Sequence, residues 1–213
     1  MTSTGIAPLL PAGCPLIVGV VNITEDSFSD GGRYLDPAAG AAWLNDIQGF
    51  GDSGMYPALA AGEGRLVVMH CVQAAGPATR VLTDPAAVWS GIKRFFTQRL
   101  AALQAAGISR DRLIIDPGLG YFLGRTPEPS LAALAGIRDL KDAFGVPVLV
   151  SASRKSFLRA LTGRAIGQSG PATLAAEIFA AWQGADYIRT HDVAALHDAL
   201  TLLAAITGQA RQA

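Results

Sequence analysis

Short apolar runs that alternate with longer amphipathic segments constrain the fold of this chain most strongly. The apolar runs, which predict strands, lie at residues 16–22, 43–47, 66–70, 113–116, 146–151 and 187–190. The longer segments carry apolar residues at helical spacing and lie at 88–106, 131–144, 173–183 and 193–207. Strands that alternate with helices are joined by crossovers into parallel sheets, so the sequence predicts an α/β fold.

The predicted strands share a second property, which is a polar residue near the carboxyl end. These residues are Asn22, Asn45, His70, Asp116, Arg154 or Lys155, and Arg189. In parallel α/β folds the carboxyl ends of the strands form the functional face. The pattern therefore predicts a polar site at one end of the sheet, with a plain structural alternation of strands and helices as the alternative.

Composition narrows the class of protein. The chain has 213 residues, of which 50% are hydrophobic and 16% charged, and its formal net charge is zero. This length predicts a single domain at 16–213 behind an extension at 1–15. The charge balance predicts no nucleic-acid or membrane partner.

Three prolines in the apolar segment 6–21, with no Lys or Arg before it, argue against a signal peptide. Two cysteines, Cys14 and Cys71, make no disulfide framework, which favours the cytoplasm.

One connection does not fit a regular parallel fold. The strand at 16–22 is followed by a polar segment at 24–34 and then by Asp36 and Pro37, a typical helix start. Only residues 38–42 remain before the next predicted strand. A parallel crossover with a helix needs about 10–12 residues or more. The sequence therefore predicts that a piece of the scaffold is missing between the first two strands.

The densest polar cluster is the loop at 22–32, Asn-Ile-Thr-Glu-Asp-Ser-Phe-Ser-Asp-Gly-Gly. Its carboxylate and hydroxyl oxygens are suited to a hydrated Mg²⁺ ion. Its two glycines permit the loop to move and to close over a charged substrate. A solvated surface turn could have the same composition.

Two further segments suit a flat or anionic ligand. Asp116 follows the apolar run 113–115, and a carboxylate there can accept two parallel hydrogen bonds from a guanidine-like edge, such as that of a pterin. The alternative is an Asp that caps the following Pro-Gly turn. Arg154 and Lys155 follow another strand, where two cations favour an anionic or flat aromatic ligand.

Arg189 and His191 lie two residues apart, so both side chains project to one side of an extended strand end. An Arg beside a titratable His is suited to a diphosphate group. The last predicted helix begins after Asp192, and its first amides would add to an anion site. His197, inside that helix, is predicted to be structural, and His70 ends a strand without an obvious partner.

Together these segments resemble the signatures of dihydropteroate synthases, and they occur in the family's order. They are 18–32 (Val-Gly-Val-Val-Asn-Ile-Thr-Glu-Asp-Ser-Phe-Ser-Asp-Gly-Gly), 45–47 (Asn-Asp-Ile), 67–70 (Val-Val-Met-His), 116–120 (Asp-Pro-Gly-Leu-Gly), 153–157 (Ser-Arg-Lys-Ser-Phe) and 189–191 (Arg-Thr-His). Segments 44–50 and 121–123 are similar to the plasmid-type, sulfonamide-insensitive branch, which implies sulfonamide resistance.

The resemblance implies a TIM-barrel-like (βα)8 fold of the pterin-binding type, here shortened to about six strands. It implies condensation of 6-hydroxymethyl-7,8-dihydropterin diphosphate with 4-aminobenzoate to 7,8-dihydropteroate and pyrophosphate, assisted by Mg²⁺, in a homodimer. The catalytic set that it implies is Asp116, Lys155, Arg189 and His191. Asn45 and Asp116 would bind the pterin edge, Lys155 would pack on the pterin, and Arg189 and His191 would bind the diphosphate. The metal position would be Asn22, and further substrate contacts would be Thr24, Ser27, Met69, Gly120, Tyr121, Arg154 and Ser156.

The chain departs from the family pattern between residues 38 and 43. There the family would have the rest of the first helix and two more βα units, roughly 60–80 residues at about 30 per unit. That part would include a second mobile loop and a pterin-binding aspartate. Three interpretations stay open: a shortened synthase with weak or no activity, a non-catalytic pterin or phosphate binder, and a barrel fragment whose exposed edges pair with a second copy.

Overall fold

The computed structural model describes residues 14–19, 42–73 and 81–208. The strands are β1 (Leu16–Gly19), β2 (Trp43–Asp46), β3 (Arg65–Met69), β4 (Leu113–Asp116), β5 (Leu149–Val150) and β6 (Tyr187–Thr190). The α-helices are α1 (Tyr56–Ala61), α2 (Pro85–Ala105), α3 (Glu128–Ala135), α4 (Ile137–Phe144), α5 (Ser156–Thr162), α6 (Gly170–Trp182) and α7 (Val193–Ile206). The polar loop at 24–34 and the predicted helix start at Asp36 lie outside the described residues.

All the strand pairings in these ranges are parallel. One sheet has the order β1-β6-β5 and the other has the order β2-β3-β4. A parallel bridge between Ile115 and Val148 joins β4 to the start of β5, so the two sheets form one series of six strands. β1 and β2 lie at its two ends in the described part of the chain. This is the α/β architecture of a shortened TIM-barrel-like fold, as the sequence predicted.

Alternate strand residues fill the interior of the sheet. Buried residues of four strands form one small cluster there, namely Val67, Ile114, Leu149 and Tyr187. Val18 and Trp43 pack against this cluster. The rings of Trp43 and Tyr187 meet edge to face with centroids 4.8 Å apart. Arg65 donates a hydrogen bond to the Tyr187 hydroxyl. Because β2 and β6 are not neighbours in the sheet, this contact crosses the interior and fills its amino-terminal end.

The helices cover the outer face of the sheet, where the other strand residues join the main hydrophobic core. Helix α2 shows how the sequence builds this layer. Asp84 accepts hydrogen bonds from the amides of Ala86 and Ala87, and Pro85 occupies the first turn, so the helix has a well-defined start. Its buried residues recur at helical spacing: Val88, Ile92, Phe96, Leu100 and Leu103. The predicted helix at 88–106 is therefore confirmed, with a start three residues earlier.

Two predicted elements differ from the structure. The helix predicted at 131–144 is split into α3 and α4 at Gly136, where an added Cβ would lie only 2.2 Å from the Trp89 ring. Close packing of α2 against this point excludes a side chain. The strand predicted at 146–151 is regular only at Leu149–Val150, because Pro147 has no amide hydrogen to donate to a ladder. Two short helices, α1 and α5, were not predicted.

Within the described ranges, none of the helices combines the length and the apolar character that a membrane crossing requires.

Candidate functional site

Side chains from the ends of five neighbouring strands, four of them polar, meet at the carboxyl end of the sheet. Each lies two residues after an interior apolar residue of its own strand, so the same alternation that fills the interior also directs these side chains inward. Met69 and Asp116 are paired in register on neighbouring strands. The five positions are Asn45, Met69, Asp116, Ser151 and Arg189, of which Ser151 follows β5 directly.

Asp116 lies at the floor of the site and is only 2% exposed. Its Oδ1 accepts a hydrogen bond of 2.8 Å from the Gly118 amide. Its buried Oδ2 has no hydrogen-bond partner and lies 3.6 Å from Nη2 of Arg189. Burial raises the pKa of this carboxyl, while Arg189, the Gly118 amide and Lys155 lower it. One carboxylate oxygen is therefore free to accept a hydrogen bond from a ligand.

Arg189 connects three strand ends. In addition to its contact with Asp116, Nε donates to Oγ of Ser151 at 3.3 Å, and Nη1 donates to Oδ1 of Asn45 at 3.4 Å. Asn45 is exposed and Arg189 is partly buried. The guanidinium group is thus held between β2, β4 and β5 with part of its surface open to the site. Such a preorganised cation is suited to an anionic group.

Lys155 lies beside Asp116 and Arg189. Its Nζ is 4.7 Å from the centre of the Phe122 ring, which contributes a cation–π contact. Burial lowers the pKa of Lys155, the Asp116 carboxylate raises it, and Arg189 lowers it again. Gly120 has a φ of 70°, and an added Cβ would lie 3.1 Å from Oγ of Ser156 and 3.5 Å from the Lys155 side chain. Glycine therefore allows the Lys155 stem to lie against the turn.

His191 and Arg154 line the exposed side of the site. Nδ1 of His191 lies 2.9 Å from Oγ of Ser153, and the His191 amide donates to the same oxygen at 3.2 Å. Burial lowers the pKa of His191, and the charges of Arg154, Lys155 and Arg189 lower it further. The imidazole is thus favoured in its neutral form, and the positive charge beside it comes from the three neighbouring cations.

The remaining predicted positions are distributed around this cluster. Gly120 and Tyr121 lie in the short 3-10 helix Gly120–Phe122 after β4, and Ser156 begins α5. Asn22, Thr24 and Ser27 lie outside the described residues. The geometry brings the other candidates together, while their roles stay predictions. Sequence reasoning did not name Ser151, Ser153 or Phe122 as site residues, although Ser153 opens the motif 153–157 and Phe122 lies in segment 121–123.

Two histidines lie apart from this arrangement. His70 was expected to have no obvious partner, but its Nδ1 lies 3.3 Å from the Pro117 carbonyl and its ring meets Phe95 edge to face. It is 5% exposed, and burial lowers its pKa to about 4, so it is a neutral residue of the core. His197 is exposed on α7, with Nδ1 3.5 Å from Asp198.

The fold and the site together indicate which class of ligand this protein binds. A parallel α/β sheet whose strand ends bring a buried carboxylate, a ring-stacking lysine and a fixed arginine to one place is suited to a flat heterocycle that carries an anionic group. The profile of the family described as "Pterin binding enzyme" matches residues 37–191. The chain belongs to this family, and its relatives within it are dihydropteroate synthases.

Curated relatives share much of the chain. Dihydropteroate synthase type-2 of Escherichia coli is 42% identical over 265 residues, which cover 92% of this chain and 97% of the relative. Dihydropteroate synthase type-1 of Pseudomonas aeruginosa is 46% identical over 197 residues, which cover 92% of this chain and 70% of the relative. The chain thus matches more than one type of this enzyme.

Solved structures give the same family. Dihydropteroate synthase of Xanthomonas albilineans in complex with 7,8-dihydropteroate has a TM-score of 0.75 and 30% identity, over 92% of this chain and 95% of that chain. The enzyme of Stenotrophomonas maltophilia with imidazole in its active site has a TM-score of 0.73 and 36% identity, over 79% of this chain. That match spans 63% of the solved chain, slightly under two thirds of its length.

Proposed function

We propose that this chain itself condenses 6-hydroxymethyl-7,8-dihydropterin diphosphate with 4-aminobenzoate, the reaction that its resemblance to dihydropteroate synthases implies. The observation that carries the proposal is the contact of Asp116 with Arg189 at the carboxyl end of the sheet, with the Lys155 charge nearby and one Asp116 oxygen free for a ligand. Three different strand ends supply these groups. A pterin offers parallel N–H donors to a carboxylate, a flat face to a lysine stem, and a diphosphate to an arginine.

The chemistry that these residues would support is displacement at the pterin methylene carbon. The arylamine nitrogen forms the new C–N bond while the C–O bond to the diphosphate breaks, so negative charge grows on the leaving group and the amine nitrogen releases one proton to water. Arg189 and the neighbouring cations would stabilise that charge. Asp116, Asn45 and Lys155 would fix the pterin so that its methylene faces the attacking amine. No covalent bond to the protein is required.

Magnesium stays part of the proposal. The metal position implied by the family resemblance, Asn22, lies outside the described residues. Within the described ranges, no group of three or more His, Cys, Asp or Glu side chains could hold a metal ion. These residues do not by themselves form a magnesium site, so no step is assigned to the ion here. Turnover measured with added MgCl₂ and with EDTA tests the requirement.

We also propose that the chain lacks about two βα units inside its sequence. The match to the type-2 enzyme runs over 265 positions, whereas 92% of 213 residues is about 196, which leaves about 70 positions without a counterpart. Since the match reaches 97% of the relative, these positions fall within the alignment. The Xanthomonas match, with 92% of this chain against 95% of that one, supports the same view.

Binding and turnover measured together test the proposal. Calorimetry with the pterin diphosphate gives the Kd, and an assay of pyrophosphate release with 4-aminobenzoate gives the rate. Turnover would support the proposed function. Binding without turnover would replace it with a non-catalytic pterin-diphosphate binder, and neither result would leave a barrel fragment whose edges pair with a second copy, which light scattering can test.

Two substitutions test the site assignment. We expect Lys155→Ala and Arg189→Ala each to weaken binding of the pterin diphosphate by at least about tenfold, as for loss of a charge-assisted contact. Lys93→Ala is the matched control, since Lys93 lies on exposed α2 surface over the Trp89 ring. Unchanged affinity in both site variants would show that the ligand binds elsewhere.

Three finer attributes belong to the same proposal. The sulfonamide-insensitive branch is proposed from the resemblance of segments 44–50 and 121–123, and growth of a sulfonamide-sensitive host that expresses the chain tests it. A homodimer and a cytoplasmic location are proposed from the family resemblance and from the cysteine content. Size-exclusion chromatography with light scattering, and cell fractionation, test these two attributes.

A further inference from the structure

Helix α6 carries two buried polar side chains on one face. Thr173 is 6% exposed and Glu177 is 1% exposed, and they lie four residues apart, which is about one helical turn. The rest of the helix is mainly apolar, in the sequence Gly-Pro-Ala-Thr-Leu-Ala-Ala-Glu-Ile-Phe-Ala-Ala-Trp. Burial of a hydroxyl and a carboxyl is unfavourable unless each has a partner. Their partners lie in the two segments that form the cationic side of the site.

Thr173 binds the first of these segments. Its Oγ1 accepts a hydrogen bond of 3.2 Å from the Arg154 amide. Arg154 has a φ of 59°, a left-handed conformation that is unfavourable for a residue with a side chain. The turn that places Ser153 before Arg154 and Lys155 after it is therefore held in a strained conformation with the help of a side chain from α6.

Glu177 lies beside the second segment. The Thr190 hydroxyl is near enough to the buried Glu177 carboxyl to lower its pKa. Oγ1 of Thr190 also accepts the Asp192 amide at 3.2 Å, and Thr190 is completely buried. Thr190 lies between Arg189 and His191. The buried Thr190 side chain therefore fixes the backbone from which the Arg189 and His191 side chains project.

Ser153 joins the two segments. Its Oγ contacts both the amide and Nδ1 of His191. A cavity of about 640 Å³ lies against the same residues and is lined by Ser153, Arg154, Thr173, Glu177 and Asp192, among others. The hydrogen bond between the Arg154 amide and Thr173 ties the first segment to α6 beside this cavity.

We infer that Thr173 and Glu177 are positioning residues, which hold the Arg154 turn and the Arg189–His191 segment in the arrangement that binds a diphosphate. This inference rests on the proposed function, because it assigns the diphosphate to these two segments. Neither side chain is placed in contact with the ligand. Both would act through the backbone of the residues that touch it.

The charge state of Glu177 offers a direct readout. Its Oε1 is buried and has no hydrogen-bond partner among the described residues. Burial raises the pKa of Glu177 to about 7, the Thr190 hydrogen bond lowers it, and the Asp192 carboxylate raises it. The charged groups that line the same cavity are Arg154, from the turn after β5, and Asp192, from the start of α7. The Glu177 carboxyl therefore gains or loses a proton near neutral pH, and its interaction with Thr190 changes at the same time.

Four variants separate positioning from simple stability. Glu177→Gln keeps the shape of the side chain but cannot titrate, and Thr173→Val removes the acceptor for the Arg154 amide. Glu63→Gln and Thr97→Val are the matched controls, since both residues are exposed and Thr97 bonds only within α2, to the Lys93 carbonyl. Thermal unfolding of each variant at pH 7 shows whether it is folded before binding is measured.

The first measurement needs no ligand. In the wild-type protein we expect the amide resonance of Asp192, which donates to Thr190, to titrate with a midpoint near pH 7. In Glu177→Gln that transition should be lost, and in Glu63→Gln it should persist. An Asp192 amide that behaves identically in the wild type and in Glu177→Gln would overturn the coupling, whatever the protein binds.

The second measurement uses inorganic pyrophosphate and the pterin diphosphate in calorimetric titrations at pH 6 and pH 8. We expect Thr173→Val to weaken binding by about fivefold, as for loss of one hydrogen bond. Glu177→Gln should remove the difference in affinity that the wild type shows between the two pH values. If the wild type binds and both variants keep its affinity and its pH dependence, the inference is wrong while the proposed function stands. If the wild type binds neither compound, the proposed function fails, and the amide titration alone decides whether Glu177 controls this segment.

Discussion

Protonation of His70 should destabilise the fold in mildly acidic solution. The imidazole is 5% exposed, its Nδ1 faces the Pro117 carbonyl, and its ring packs against Phe95. Burial lowers its pKa from 6.5 to about 4. Between these values the unfolded chain binds a proton on His70 and the folded chain does not. The stabilising contribution of neutral His70 to the free energy of unfolding is therefore fully present above pH 6.5. It is lost as the pH decreases toward 4.

The size of this effect follows from the pKa difference. A difference from 6.5 to about 4 corresponds to about 3 kcal/mol of unfolding free energy at about 1.4 kcal/mol per pH unit. For a chain of this length that amounts to a decrease in Tm of about 6–12 °C. Above pH 6.5 the group is neutral in both states and makes no contribution to the pH dependence.

Urea unfolding at pH intervals from 4 to 8 measures the effect. The comparison is with His70→Asn, which keeps an N–H donor near the Pro117 carbonyl but cannot titrate in this range. We expect the stability of the variant relative to the wild type to rise by about 3 kcal/mol as the pH falls from 6.5 to 4. His197→Asn, an exposed histidine on α7, is the control and should leave the profile unchanged. A constant difference between wild type and His70→Asn across the range would refute the buried, neutral state of His70.

Three further substitutions test packing, backbone conformation and charge. Phe96→Ala should cost about 3–5 kcal/mol in urea unfolding, because this fully buried ring lies in the centre of the core. Gly118→Ala should cost at least about 2 kcal/mol and weaken ligand binding, since Gly118 has a φ of 73° and an added Cβ would lie 2.3 Å from the His70 carbonyl oxygen. Burial raises the pKa of Glu177 from 4.5 to about 7, so the wild type should lose stability as the pH rises through that interval, by up to about 3 kcal/mol, and Glu177→Gln should not. This loss of stability with rising pH is opposite in sign to the His70 effect, so each variant is compared with the wild type at every pH. If the wild type gained stability from pH 4.5 to 7 relative to Glu177→Gln, that result would contradict the burial of Glu177.

Much of the fold was accessible from the sequence because its signals are local. The runs at 113–116 and 187–190 coincide with β4 and β6, since each is a short apolar run with clear boundaries. The start of α2 was displaced by three residues only. The break between α3 and α4 was not accessible, because it depends on the Trp89 ring, which lies far away in the sequence. Tertiary packing overrides helical periodicity there.

The site was predictable to the extent that its residues end strands. Asp116 and Arg189 follow apolar runs, and parallel strands bring such ends together. Phe122 and Glu177 gave no such signal. Phe122 looks like any apolar residue after a turn, and Glu177 looks like an ordinary surface residue of a helix. Only the packing of α6 against β6, which sequence periodicity does not specify, shows that Glu177 is buried beside Thr190.

The edge-to-face contact between Trp43 and Tyr187 separates two tasks along the axis of the sheet. At the amino-terminal end, apolar and aromatic side chains keep non-adjacent strands β2 and β6 at a fixed distance. One layer higher, the same two strands carry Asn45 and Arg189, which meet across the opening. A substitution in the upper layer can therefore change what the site recognises while the lower layer maintains the spacing of the strands.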